Sequence, residues 1–452
     1  MFAAIVAVTL SQWGPEPSPG MQQYDPGSVC QRTGGRCFLN RSGNRPRENY
    51  AYFEFAPLSG AGMGTACACT TPTGAKGEAM TFTRTGAATC SKQGLATTGI
   101  GNGDLVVCTA NQPRVESSGG VLGLRVEGAR TNEALRSESV DNIAWATTAA
   151  GVAAPTLTAD CAVAPDGTTT ADRMQIPACP TVGVDASGVN QTSGTIASPS
   201  SSAVFLKANS GTPSISICMF GLATGTRACT QFALNTSTWT RAVVNNVTNT
   251  GGMNLEIACE NRTGSYSGAT NTGAADILVW GAQSEAGAYA TSYIPTVAAA
   301  VTRNAEAAYV TMPVTVSPSS VAATTQVPYT SPGANRRNLG VRSGTSDANR
   351  FELFYANGGP GASTYVEVAS VGQQVNGVTA ATMPGSNRFA AWRTAAGTQN
   401  VITNGATASA ATALGALPVL DRVYVGSYIS VLAELDGIIA SVCVDPDPSR
   451  CR

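Results

Sequence analysis

The sequence predicts an all-β chain: an irregular, cysteine-rich N-terminal region followed by two antiparallel β-sandwiches. Three observations carry this. Short apolar or alternating runs recur roughly every ten to twenty residues, divided by Gly, Asn, Ser and Thr turns. No sustained 3.6-residue period marks a long helix. Of 452 residues, 43% are hydrophobic and only 12% are charged, a composition that buries cores and favours short strands with many turns.

Residues 1–78 form the first region. "MFAAIVAVTL" at its start is apolar, but it is too short to span a bilayer and lacks the basic flank of a signal peptide. It is expected to be a strand or packing arm. Residues 14–80 are rich in Pro, Gly and Cys, with a few strands expected, such as Tyr50 to Phe55. Residues 79–312 form the first sandwich. Its runs include "AMTFTRTGAATC", "GGVLGLRVEG", "SSAVFLKAN", "SISICMFG", "NLEIACEN" and "ADILVWGAQSE". Between them, Asn132 to Trp145 reads as a short helix or an extended crossing. "GIGNGDL" (Gly99 to Leu105) reads as a turn, since no P-loop Lys-Ser/Thr follows its glycines. Residues 313–452 repeat the grammar as the second sandwich, and "NGA" (Asn404 to Ala406) fits a hairpin turn.

The net charge of −1 offers no basic excess for phosphate, so nucleic-acid binding is not expected. No later segment is apolar enough for membrane insertion. The chain has no histidine, which removes the usual catalytic triads and most zinc sites. Thirteen cysteines suit disulfides and work outside the cell. Their spacing suggests the local pairs Cys30/Cys37, Cys90/Cys108, Cys161/Cys179, Cys218/Cys229 and Cys443/Cys451. The odd count leaves at least one unpaired or paired between chains.

Three segments, taken together, resemble modules of bacteriophage tail-fibre and other virion structural proteins. The first carries Phe82, Thr83, Arg84, Ala88 and Thr89, then Pro113 and Arg114, then Glu127, Gly128, Arg130, Thr131, Asn132 and Ser137. The second runs from Trp145 through "APDGTTTAD". The third, "WGAQSEAGAYATSYIPTVAAAVTRNAE", carries Trp280, Gln283, Glu285, Tyr293, Pro295 and Arg303. Ala134 stands where the family usually has leucine. The resemblance covers about residues 79–310 and implies a carbohydrate-binding-module-like jelly roll. Residues 313–452 are more faintly similar to a concanavalin-like or laminin-G-like sandwich.

What this implies is a non-enzymatic structural or adhesive protein on the exterior of a phage particle: tail fibre, spike, head fibre or capsid decoration. Its partners would be other virion proteins, further copies of itself, with a trimer favoured, and host surface glycans. A secreted bacterial lectin-like adhesin and a phage polysaccharide depolymerase are the alternatives. Depolymerase chemistry needs two carboxylates across a cleft, and Glu127, Glu133, Glu285, Asp276, Glu352 and Asp436 sit in no catalytic motif. Trp239, Tyr266, Tyr355 and Tyr365 are candidate sugar-stacking aromatics. Asp276 is the candidate ligand for the structural calcium that such jelly rolls often hold. Arg125, Glu127, Arg130, Asn132, Gln283, Glu285, Tyr293 and Pro295 fall to architecture, fixing strand register or a joint between subunits.

Overall fold

The computed structural model describes residues 51–54, 67–69, 80–94, 97–118, 121–223, 227–248, 251–262, 273–316, 320–328, 335–344, 348–356, 362–376, 385–394, 398–411, 420–427 and 435–445. Among these the chain is all-β. It opens with β1 (Ala51–Glu54), β2 (Cys67–Ala68), β3 (Met80–Thr83), β4 (Ala88–Ser91), β5 (Leu105–Cys108), β6 (Arg114–Ser118), β7 (Val121–Val126) and β8 (Arg130–Asn132). A second group holds β9 (Ala146–Ala150), β10 (Thr156–Ala162), β11 (Ala171–Ile176), β12 (Ala186–Thr195), β13 (Ser200–Ala208), β14 (Ser214–Gly221), β15 (Arg227–Ala233), β16 (Thr240–Val247), β17 (Gly252–Glu260) and β18 (Ala275–Ala286). After β19 (Val301–Arg303) come β20 (Ala307–Val316), β21 (Ser320–Val327), β22 (Arg336–Arg342), β23 (Arg350–Tyr355), β24 (Ala362–Val368) and β25 (Val371–Asn376). The last are β26 (Gly385–Arg393), β27 (Thr398–Thr403), β28 (Ala406–Ala411), β29 (Leu420–Val425) and β30 (Gly437–Asp445).

The second group makes the first sandwich. One sheet runs β10-β11-β18-β13-β16 and the other β15-β14-β17-β12-β9. Alternation along each strand sends Val204, Leu206, Ile217, Leu255, Ile257, Ile277 and Val279 into the space between them, where all are buried. Asn132 to Trp145 forms turns rather than a helix; Ser137, Ser139 and Asn142 offer the backbone local alternatives to helical bonds.

The second sandwich is not confined to residues after 312. Its larger sheet runs β2-β6-β7-β30-β21-β26-β27-β28, with β1 beside β30, and its smaller runs β25-β24-β23-β22-β29-β20-β3. Strands β3 and β7, which fall within residues 79–312, pair with β20 and β30 of the second sandwich, and β6 pairs with β7. Leu124 faces Ile439, and Phe82 faces Ala308. Their apolar side chains enter the core of Val310, Phe351, Leu353 and Phe389.

The first sandwich is thus inserted between β7 and β20 of the second. The chain enters it by β8 and leaves by β19, and these two pair antiparallel, Arg130 opposite Arg303 and Asn132 opposite Val301. The expected hairpin at "NGA" is present. Asn404 and Gly405 adopt φ of 48° and 95° between the paired Thr403 and Ala406, the left-handed pair that matches strand twist.

Among the described cysteines, Cys218 bonds Cys229, as expected from spacing. Two other expected pairs are corrected. Cys108 bonds Cys69, not Cys90, and Cys179 bonds Cys259, not Cys161; the latter pair ties β17 to the loop before β12, and Cys161 is free and exposed. Sequence neighbours were the wrong guide because sheet pairing brings distant cysteines together. Cys90 and Cys443 are also disulfide-bonded. Cys30, Cys37 and Cys451 lie outside the described residues.

Candidate functional site

The residues that carry the family resemblance meet in one buried polar knot where the chain passes between sandwiches. Arg114, on β6, stands at its centre and is fully buried. Its Nε and Nη2 donate to the two oxygens of Glu306 at 2.9 and 2.6 Å, and Nη2 also reaches Glu127 at 2.9 Å. Its Nη1 donates to the Thr89 carbonyl (2.9 Å) and to Ser292 Oγ (2.8 Å). Arg84 adds a bond to Glu306 at 2.7 Å, and Arg303 a bond to Glu127 at 3.0 Å. Three guanidiniums therefore share two carboxylates, with backbone carbonyls and hydroxyls taking further donors. Beside them Arg125 pairs with Glu116.

Each of these charges is dry, so each depends on the others. Burial pushes the Glu127 carboxyl up, but Arg303, Arg114 and Arg125 together hold it well below the usual range. Burial likewise pulls Arg114 down, and Glu306 and Glu127 more than offset this. Glu285 is different. It accepts from the Thr291 amide and hydroxyl, and burial raises its pKa.

The remaining architectural candidates fasten the first sandwich to this knot. Asn132, fully buried, donates to the carbonyls of Ala282 (3.0 Å) and Ile294 (2.7 Å) and accepts from the amides of Ala134 and Ser284. Gln283 accepts from the Ile294 amide at 2.8 Å. Tyr293 packs with Phe205 and Trp280, and its hydroxyl meets Ser137 and Glu138. Gly281 is needed there: it holds φ +66°, and a Cβ would lie 2.8 Å from Phe205. Arg130 lies over the Tyr289 ring and 3.5 Å from Asp436, which also accepts from Gly128 and Arg336. Pro295 is exposed in the loop after Tyr293 and Ile294. A cavity of about 10 Å³ between Thr89, Phe205, Arg241 and Tyr293 adjoins the knot, room for about one water.

The acids weighed for catalysis are thereby accounted for. Glu127, Glu285, Glu352 and Asp436 are buried in ion pairs or hydrogen bonds. Glu133 is half-buried just after β8.

The sugar-stacking candidates do not stand together on an open face. Trp239 is fully buried, covered by the "GIGNGDL" loop: its backbone pairs with Ile100 in both directions, and its Nε1 donates to Asn102 Oδ1 at 2.9 Å. Tyr355 is buried between sheets against Phe389, its hydroxyl bonded to Thr325 and Asn387. Tyr365 is half-buried beneath the Arg350 guanidinium. Tyr266 lies outside the described residues.

Asp276 does not fit the expected calcium. Arg173 already occupies both carboxylate oxygens at 2.8 Å, and Asn209 Nδ2 and Ser210 Oγ donate to them rather than offering ligand oxygens. A second acidic group, Glu256 and Glu260 beside Cys218, fits a metal no better. Cys218 is in a disulfide, and Arg227 and Arg262 pair with both carboxylates.

No protein-family model matches the chain, and no curated protein matches it. Among solved structures, it is similar to the CBM40 of Ruminococcus gnavus IT-sialidase bound to alpha2,3 sialyllactose, with 17% identity over 30% of this chain and 80% of that one and a TM-score of 0.26. A leech intramolecular trans-sialidase shares 13% identity over 30% of this chain and 22% of that one, at a TM-score of 0.24. Domains LG4-5 of the mouse laminin alpha1 chain share 11% over 65% and 91%, at 0.21. Such low scores carry no functional argument; the all-β class rests on the strands themselves.

Proposed function

We propose that this chain is a non-enzymatic display protein of a bacteriophage particle, carrying two sandwiches as one stiff body on the virion exterior. The observation behind this is the knot. The residues that resemble virion modules are the buried groups that join the sandwiches, and their carboxylates are closed to any polymer substrate. Disulfides such as Cys218–Cys229 and Cys69–Cys108 suit a protein that works outside a cytoplasm. Neighbouring virion proteins and further copies of the chain, as a trimer, would hold its base, leaving the first sandwich to meet host surface glycans. Virion attachment is tested by mass spectrometry and imaging of purified particles. The expected result is the protein at fixed copy number and at one surface position; its absence from particles would overturn the reading. Incubation with host capsule or lipopolysaccharide is expected to release no reducing ends.

A further inference from the structure

Strand β18 links the two ends of the first sandwich. Its C-terminal end carries Glu285, in the polar network around Thr291, and its N-terminal end carries Asp276. Nine residue steps at about 3.3 Å separate them by roughly 30 Å. Around Asp276 the ends of the two sheets leave a cleft of about 740 Å³, inside the roughly 300–1,000 Å³ span of small-molecule sites. Its lining includes Gln175, Ser210, Thr212, Pro213, Gln231 and Asp276.

We propose that this cleft is a binding site for a neutral oligosaccharide. The inference rests on the display reading and gives it a recognition site at the end of the sandwich away from the junction. Charge decides the ligand class first. Asp276 is the one ionised side chain of the lining, and Arg173 neutralises it with two bonds of 2.8 Å. The wall therefore presents no net field for an acidic or basic ligand. What it presents is amides and hydroxyls, which exchange hydrogen bonds with sugar hydroxyls, and the flat apolar edge of Pro213.

The wall is also stiff. The backbone carbonyl of Asp276 accepts from the amides of Asn209 (2.9 Å) and Ser210 (3.4 Å), and its carboxylate accepts from the same two side chains (3.0 and 3.2 Å). One residue thus clamps the β13–β14 turn from four directions, so little ordering remains for a ligand to impose. At the turn tip Gly211 has φ +66° and open space beside it. Thr212, next to it, is exposed at the mouth.

The test uses labelled full-length protein and immobilised hexasaccharides of glucose, galactose and N-acetylglucosamine, with uronic-acid hexasaccharides of equal length beside them. Wild type is expected to bind at least one neutral member and to bind uronic acids no more tightly. Thr212→Trp, which fills the mouth from an exposed position, should weaken binding at least tenfold at an unchanged melting temperature. Gln175→Ala, also exposed, should weaken it in the same direction. No binding to any neutral member, binding confined to uronic acids, or unchanged affinity in both variants would each overturn the site. Retained neutral binding in both variants would move glycan recognition elsewhere on the chain, whereas absence from particles would defeat the display reading itself.

Discussion

Glu127 and Glu306 grip each other through the backbone as well as through Arg114. The Glu306 amide donates to the Glu127 carbonyl at 3.0 Å, and the Glu127 amide donates to Glu306 Oε2 at 2.9 Å. Glu127 directly follows β7 and Glu306 directly precedes β20, so this exchange pins the two chain crossings on either side of the inserted sandwich. Two carboxylates held this close are tolerable only with Arg114, Arg84 and Arg303 between them.

Arg114→Ala should therefore cost about 3–5 kcal/mol, the usual penalty for leaving a buried charge without its partner. Arg130→Ala should cost less, because Asp436 lies 3.5 Å from Arg130 and keeps Arg336 at 2.6 Å. Urea unfolding of the full chain checks both. Equal costs for the two variants would show that the knot is not the joint described above.

The pH response separates two kinds of buried carboxyl. Burial pushes Asp172 up to about 6 from its ordinary 3.8, although the amides of Asp160 and Asp141 donate to it. Above pH 6 its buried charge opposes folding. As pH falls through 6, the folded chain takes up a proton that the unfolded chain accepts only near 3.8, so this group adds stability over that interval. Glu127 runs the other way: its carboxyl is held well below 4.5, so its stabilising share is present above 4.5 and is lost under more acid conditions. Asp172→Asn should flatten the gain between pH 7 and pH 4 in thermal unfolding and leave the acid-side loss intact. An unchanged profile would show that Asp172 is ionised in the fold at neutral pH without cost.

Non-reducing peptide mapping should recover Cys69–Cys108, Cys179–Cys259 and Cys218–Cys229, and no Cys161–Cys179 peptide. Cys179–Cys259 spans 80 residues, so its loss through Cys259→Ser should cost about 4.5 kcal/mol on the chain-entropy estimate. Cys161→Ser, at an exposed free thiol, should leave stability within about 0.5 kcal/mol of wild type.

The contrast between Cys218–Cys229 and Cys179–Cys259 marks what was legible in the sequence. Cys218 and Cys229 face each other on adjacent hairpin strands, so spacing alone finds them. The Cys179 bond depends on β12 reaching β17 across the intervening strands β13 to β16, and no local pattern encodes that pairing. Period-2 alternation and the Asn404-Gly405 turn were readable for the same local reason. Trp239 was not. A tryptophan between Thr residues reads as a surface aromatic until the loop at Ile100 folds over it from more than a hundred positions away. The charged run from Arg125 to Arg130 offers no field for phosphate because its signs alternate, but its chief partners, Glu306 and Arg303, lie beyond the whole inserted sandwich, where no local pattern points to them.

The insertion makes the most direct prediction about domain limits. A fragment of residues 313–452 lacks β3, β6, β7 and most of β20. Strand β30 would lose Leu124 and Val126 as neighbours, and β29 would lose its partner Tyr309. Both new edges would expose unpaired backbone beside an apolar core, a template for aggregation. The same fragment leaves Asp436 without Gly128 and Tyr289. It should be insoluble or aggregate on concentration. A fragment of residues 130–303 keeps every strand of the first sandwich together with the β8–β19 ribbon, so it should be soluble and melt cooperatively by circular dichroism. It gives up Glu127 opposite Arg303 and the Ile100 loop over Trp239, so it should melt below the full chain, and Glu127→Gln in the full chain should lower the melting temperature in the same direction. A soluble, cooperatively folding 313–452 fragment would refute the insertion and restore a boundary near residue 312.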